Sequence, residues 1–182
     1  MLYCVLGRSC AGKDYFCKKL TKKYPEKFKM VVSYTTRPKR SDETDGVEHY
    51  FVTKEEFDKI RQENEIIAYT QIGEYEYMAT KKELEKSNIY IIDPKGVEYL
   101  SENFPEIPTI NFLIDGGNSN ATRSENLRSD HETKYVKRSV AEKEMFDKFS
   151  MTGHYVHINN DMNNDDGYDV FDRIINLIEN GN

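Results

Sequence analysis

An apolar run, Leu2–Leu6, leads straight into Gly7-Arg8-Ser9-Cys10-Ala11-Gly12-Lys13. The segment fits G-x-x-x-x-G-K, and nothing else in the 182-residue chain limits its fold as strongly. The glycines let the chain wrap closely around phosphate oxygens. Successive N–H groups then point inward, and a following helix adds positive potential at its N-terminus. A lysine at the end brings a cation to the outer phosphates. The motif requires a buried strand before it and a helix after it. Leu2–Leu6 reads as a strand covered on both faces. Phe16, Leu20 and Tyr24 recur every four residues up to Pro25, which predicts a helix over 13–24. The Ser or Thr that usually follows the lysine, and whose hydroxyl binds Mg²⁺, is here Asp14. A carboxylate is also a hard oxygen ligand for Mg²⁺, and it is favoured at a helix N-terminus. Asp14 is therefore either a replacement Mg²⁺ ligand or a helix-capping residue.

Downstream, short apolar runs alternate with helical patterns, as in parallel strands joined by crossover helices. Strands are predicted at 30–32, 89–92, 109–114 and 155–158. Phe171, Ile174, Ile175 and Ile178 predict a closing amphipathic helix. Between 34 and 80 the character changes. A basic loop, Thr35-Thr36-Arg37-Pro38-Lys39-Arg40, precedes a turn at Asp45-Gly46 and a short strand at 50–52. Thr53-Lys54-Glu55-Glu56 is a capping box opening a helix to about 63, and Thr80-Lys81-Lys82-Glu83 reads as a second one. Paired strands are predicted at 66–72 and 75–77. This stretch reads as a small α+β insert, whereas 118–150 reads as polar and mostly helical.

Composition removes several function classes. Apolar residues make up 37% of the chain, enough for a core, and the net charge is −6, where a nucleic-acid binder should be basic. No apolar run reaches the ~18–20 residues of a membrane helix. The N-terminus lacks the charged and apolar regions of a secretory signal. Cys4, Cys10 and Cys17 are an odd cluster, not a disulfide framework, and the four histidines have no close cysteine partner for zinc. The expectation is a soluble, cytoplasmic protein that handles small-molecule nucleotides, with neither nucleic acid nor membrane as partner. The sequence leaves the oligomeric state open.

Ser33-Tyr34-Thr35-Thr36-Arg37-Pro38-Lys39-Arg40, with Glu43, Gly46 and Phe51-Val52, resembles the monophosphate-binding arm of the guanylate kinase family. The resemblance continues through Asn64-Glu65-Ile66-Ile67, Tyr77, Ile92-Asp93-Pro94-Lys95-Gly96-Val97, a basic segment with Arg123, Arg128 and Arg138, and Val156-His157-Ile158-Asn159. It implies an α/β fold: a P-loop parallel-sheet core (1–33, 81–117 and 151–182) flanked by helices, a small α+β monophosphate-binding insert (34–80) and a helical lid (118–150). It implies transfer of the ATP γ-phosphoryl group to GMP or dGMP, with Mg²⁺. A kinase for another (deoxy)nucleoside monophosphate and a non-catalytic binding module of the same fold are the alternatives.

The resemblance also implies site residues. ATP would be held by Gly7, Arg8, Ser9, Cys10, Ala11, Gly12, Lys13, Asp14 and Tyr15, with Asn159 near the adenine. The monophosphate would be held by Ser33, Arg37, Arg40, Glu43, Tyr50, Tyr77 and Asp93. Lys13, Arg37, Arg123, Arg128 and Arg138 would act on the transferred group. Arg suits this work because its planar fork matches phosphate oxygens. The chain departs from the family pattern in the base pocket. Ala68 stands for the usual Glu, Ala79 for Ser, Met78 for Gly, Ile91 for Asp and His49 for Tyr, with Tyr50 one residue later. A pocket without these polar groups is expected to discriminate guanine less sharply.

Overall fold

The first strand sorts the core into two layers. In a computed structural model, which describes residues 1–116, 142–160 and 166–181, β1 (Leu2–Leu6) is buried at every position. Leu2, Cys4 and Leu6 face one apolar cluster, while Tyr3 and Val5 face the other. That is the period-two alternation of a strand covered on both sides. β1 lies in a four-stranded parallel sheet ordered β6-β1-β7-β8, with β6 at Ile89–Ile91, β7 at Thr109–Asp115 and β8 at Val156–Asn159. Helices α1 (Lys13–Lys23) and α6 (Asp166–Asn180) cover one face through Phe16, Leu20, Phe171 and Ile175. Helices α4 (Pro94–Asn103) and α5 (142–150) cover the other through Val97, Leu100, Phe146 and Phe149.

A second four-stranded sheet runs from Ser33 to Thr80, ordered β3-β2-β5-β4. Strands β2 (Ser33–Thr35) and β3 (His49–Phe51) are parallel, and β5 (Tyr75–Thr80) is antiparallel to both β2 and β4 (Ile66–Ile72). Helix α2 (Lys54–Glu63) begins at the predicted capping box. The Glu56 N–H donates to Thr53 Oγ1 at 3.2 Å, and the Thr53 N–H donates to Glu56 Oε2 at 2.8 Å. The second predicted box does not form. Thr80 makes no side-chain cap to the single-turn helix α3 (Lys81–Leu84). It is still a strand residue, paired with Ile66 and turned into the core.

The strand predicted at 30–32 is reduced to one parallel bridge, Met30 with Ile89. The chain is crossing between sheets at this point, and the next regular strand, β2, belongs to the second sheet. Of the segment 118–150, residues 118–141 lie outside the described part. Its end, α5, is anchored in the core by Phe146 and Phe149. No helix among the described residues is long and apolar enough to cross a membrane.

Candidate active site

The phosphate loop joins β1 to α1, and its backbone is unusual where the motif demands it. Gly12 has φ 97°, and Cys10, with φ 65°, is the one non-glycine at positive φ among the described residues. Left-handed residues between right-handed ones turn consecutive N–H groups toward a common centre. The loop is braced from outside. Asn160 Nδ2 donates to Ala11 O at 2.8 Å, and the Asn160 N–H donates to Asp115 O at 2.7 Å. A Cβ on Gly12 would fall 2.5 Å from that Asn160 nitrogen, and one on Gly7 would fall 2.4 Å from Ile114 O. Both glycines are fixed by close approach.

Lys13 folds back over the loop. Its Nζ donates to Gly7 O at 2.7 Å and Arg8 O at 3.0 Å. Burial lowers its pKa, opposed by the charges of Asp14 and Glu142. Glu142, the first described residue of α5, reaches the same loop. Its Oε1 accepts from Ser9 N–H at 3.1 Å and from Ser9 Oγ at 2.9 Å. A carboxylate thus occupies donors that suit a phosphate. Asp14 lies exposed in the first turn of α1, whose N-cap is Gly12 with no side-chain cap. Tyr15 is exposed at the same helix end.

The second sheet carries a further polar group, in which His49 feels the charge of Asp14 at the loop's helix end. Arg37 is buried, and its guanidinium is gripped by Glu43, with Nη1 to Oε2 at 2.9 Å and Nη2 to Oε1 at 2.7 Å. Nη1 also donates to Pro38 O at 2.9 Å, and the guanidinium lies 5.3 Å over the Phe51 ring. Burial alone would raise the Glu43 carboxyl. The Arg37 guanidinium and the Arg40 N–H overcome it and hold the group down to about 2, from an ordinary 4.5. Arg40 is exposed, with Nη1 at 3.7 Å from Glu43 Oε1. Ser33 Oγ lies 2.8 Å from His49 Nδ1, and the His49 ring packs against Tyr77 at 5.7 Å. Burial and the nearby Arg37 charge lower the His49 pKa, which keeps the ring neutral at neutral pH. Asp93 caps α4, accepting from Gly96 N–H at 2.9 Å through Oδ1, and burial raises its carboxyl pKa.

Arg40 adjoins Glu43 and Asp93 adjoins Thr70, while Ser33, Arg37, Glu43 and Tyr77 gather around His49, on which the charges of Arg37, Glu43 and Asp14 all act. Tyr50 does not. It stacks on Tyr34, with centroids 4.8 Å apart, on the opposite face of the sheet, and the neighbouring His49 takes the inward position. Asn159 is exposed at the end of β8, while Asn160 points inward. Sequence reasoning missed three site residues. His49 and Asn160 were legible in strand phase, because alternation places residues 49 and 160 inward. Glu142 had no local signal, since only the tertiary fold brings α5 to Ser9. Arg123, Arg128 and Arg138 lie outside the described residues.

Comparison with known proteins gives the family and the fold. The sequence model of the family described as guanylate kinase matches residues 1–176. A guanylate kinase of Symbiobacterium thermophilum is 29% identical over 168 residues, covering 89% of this chain and 79% of that one. One from Caldanaerobacter subterraneus subsp. tengcongensis is 30% identical over 168 residues, covering 89% and 81%. The crystal structure of guanylate kinase from Anaplasma phagocytophilum superposes with a TM-score of 0.65 at 21% identity, covering 100% of this chain and 85% of that chain, which establishes the shared fold. The phosphate loop, the arginine-bearing second sheet and the match along nearly the whole sequence place the chain in the guanylate kinase family.

Proposed function

We propose that the chain transfers the γ-phosphoryl group of ATP to GMP or dGMP, giving ADP and the corresponding diphosphate. The observation that carries this reading is the pairing of an intact phosphate loop, ending in Lys13, with a preorganised Arg37–Glu43 unit on the facing sheet. A phosphate oxygen of the monophosphate attacks the γ-phosphorus as the bond to the bridging β,γ-oxygen breaks. Such transfer needs little covalent help from the protein. It needs positioning and charge stabilisation in a water-poor site.

In this reading the loop N–H groups and Lys13 hold the donor phosphates. Arg37, Arg40 and Tyr77 hold the acceptor phosphate. Glu43 and Pro38 engage three of Arg37's five N–H groups. Tyr77 also hydrogen-bonds the guanidinium, so Glu43 and Tyr77 together orient the fork that the acceptor phosphate would meet. Arg123, Arg128 and Arg138 would neutralise charge on the transferred group, and Asn159 and Tyr15 would flank the donor nucleotide.

The donor set fits a single Mg²⁺ ion. Among the described residues no cluster of three or more His, Cys, Asp or Glu could cage a metal, and Asp14 is an exposed carboxylate at the loop's helix end. Mg²⁺ commonly takes one or two carboxylates and otherwise phosphate oxygens and water, so Asp14 would be its protein ligand. Bound there, the ion would neutralise developing phosphate charge.

Glu142 bears on donor binding. Its carboxylate holds Ser9 donors and places a like charge beside incoming phosphates. Replacing it by Ala is expected to lower the KM for ATP by roughly tenfold, because one nearby anion no longer opposes binding. Initial-rate measurements at saturating GMP check this. An unchanged or higher KM would mean that Glu142 supports the loop instead of competing for it. The activity itself is tested by coupled ADP release with a panel of monophosphates, in which GMP and dGMP are expected to lead.

A further inference from the structure

Two cross-strand rows of the second sheet face the site. One runs His49, Ser33, Ala79, Ala68, and the next runs Phe51, Thr35, Tyr77, Thr70. The first row ends in two methyl groups. Ala68 and Ala79 are buried in the apolar cluster with Ile92 and Val97. They offer a base nothing but van der Waals contact.

Most other polar groups on this face are already engaged. Ser33 is paired with His49. Thr35 Oγ1 donates to Glu76 O at 3.0 Å and accepts the Arg37 N–H at 3.1 Å. Thr70 is the exception. It is only 9% exposed, and its Oγ1 has no hydrogen-bond partner. It sits one row along from Ala68 on the same strand face, near enough to the Asp93 carboxylate to favour its charge but outside hydrogen-bond geometry. A buried hydroxyl without a partner is costly, and native proteins rarely keep one without a reason.

We propose that Thr70 reads the guanine edge of the acceptor monophosphate, beside the Asp93 that the family resemblance already assigns to this pocket, and so stands in for the missing polar groups at Ala68 and Ala79. This rests on the kinase reading above for the identity of the acceptor. The chemistry is a match of acceptors to donors. Guanine presents two adjacent donors, the ring N1–H and the 2-amino group. The Asp93 carboxylate accepts from N1–H through the oxygen not used to cap α4. The Thr70 hydroxyl donates toward that carboxylate and accepts from the 2-amino group. Adenine presents a ring-nitrogen acceptor at the same edge, opposite a carboxylate, and is rejected. Hypoxanthine keeps N1–H but lacks the amino group, so it loses only the Thr70 contact.

The test is titration calorimetry of the full chain with GMP, IMP and AMP, for the parent, Thr70→Val and Thr70→Ser, with a thermal melt of each. Thr70→Val should bind GMP about tenfold more weakly, one hydrogen bond's worth, and IMP within about twofold of the parent. Thr70→Val should melt within a few degrees of the parent, because the lost hydroxyl makes no hydrogen bond that holds the fold. Thr70→Ser should retain GMP binding within about threefold, since it keeps the donor and acceptor. Unchanged GMP affinity in Thr70→Val would overturn the proposal. So would equal weakening of GMP and IMP, or a lower melting point with all ligands weakened alike, which is the signature of a packing role. Turnover is read separately. A parent that binds GMP but releases no ADP contradicts the kinase reading and leaves the base-reading role standing. A parent that turns over GMP while Thr70→Val binds GMP unchanged contradicts the base-reading role alone.

Discussion

Replacing Lys13 by Met lowers turnover by roughly 10²–10³-fold, the loss seen when one preorganised donor to a developing oxyanion is removed. The reason lies in the loop. Its N–H groups supply fixed dipoles, but Lys13 is the cation that the motif itself brings to the outer phosphates, and it stands ready on the Gly7 and Arg8 carbonyls. A ligand that offers phosphate oxygens exchanges these neutral partners for charged ones, which are stronger. The fold should survive. Met keeps the stem of the side chain, and the Arg8 carbonyl that loses its donor lies exposed. Thermal melts within a few degrees of the parent, with turnover collapsed, are the expected pair of results. Parent-like turnover would remove Lys13 from the reaction.

Arg37→Met should act on both binding and stability. The KM for GMP is expected to rise about 100-fold, because a fork aimed at the acceptor phosphate is lost. Stability should fall by about 3–5 kcal/mol, because Glu43 is left in a site built for its partner. Glu43→Gln separates the two effects. It keeps the cation, so its KM should rise much less, while the ion pair is still lost. The pair also carries a pH signature. The Glu43 carboxyl is held down to about 2 against an ordinary 4.5. Its contribution is therefore fully present above about 4.5 and is lost as pH falls toward 2. Glu43→Gln should lack that component of acid destabilisation. Urea unfolding at pH 7 and pH 3 measures it. An identical acid response in parent and variant would show that the pair is not coupled to folding.

Much of this arrangement is legible in the residues themselves. Leu2–Leu6 and the loop after it define a buried strand, a phosphate nest and a helix, because each needs residue types that the segment supplies. The Thr53–Glu56 box marks a helix start because its two hydrogen bonds are local. The Thr80 box has the same letters but does not form, because Thr80 is held in the sheet by Ile66 and the core. Tertiary pairing overrides a local cap there. The 30–32 segment shows the same limit. Its apolar residues mark burial, but they do not say that the chain changes sheets. Tyr50 and His49 differ by one step of strand phase, and a single residue of phase exchanges the two faces. Asn159 and Asn160 repeat that lesson. Glu142 at Ser9 and the orphaned hydroxyl of Thr70 are long-range facts. No pattern in the sequence announces either one.

Transfer of a phosphoryl group between two bound nucleotides leaves a signature on each phosphate. Phosphorus NMR of the purified chain with ATP, Mg²⁺ and GMP tests it most directly, because each phosphate is followed by position. ADP and GDP should rise together in equal amounts, with little ATP loss when GMP is omitted and only traces of either product from Lys13→Met on the same timescale. ATP consumed to free phosphate at the same rate with and without GMP, or no GDP at all, would contradict it.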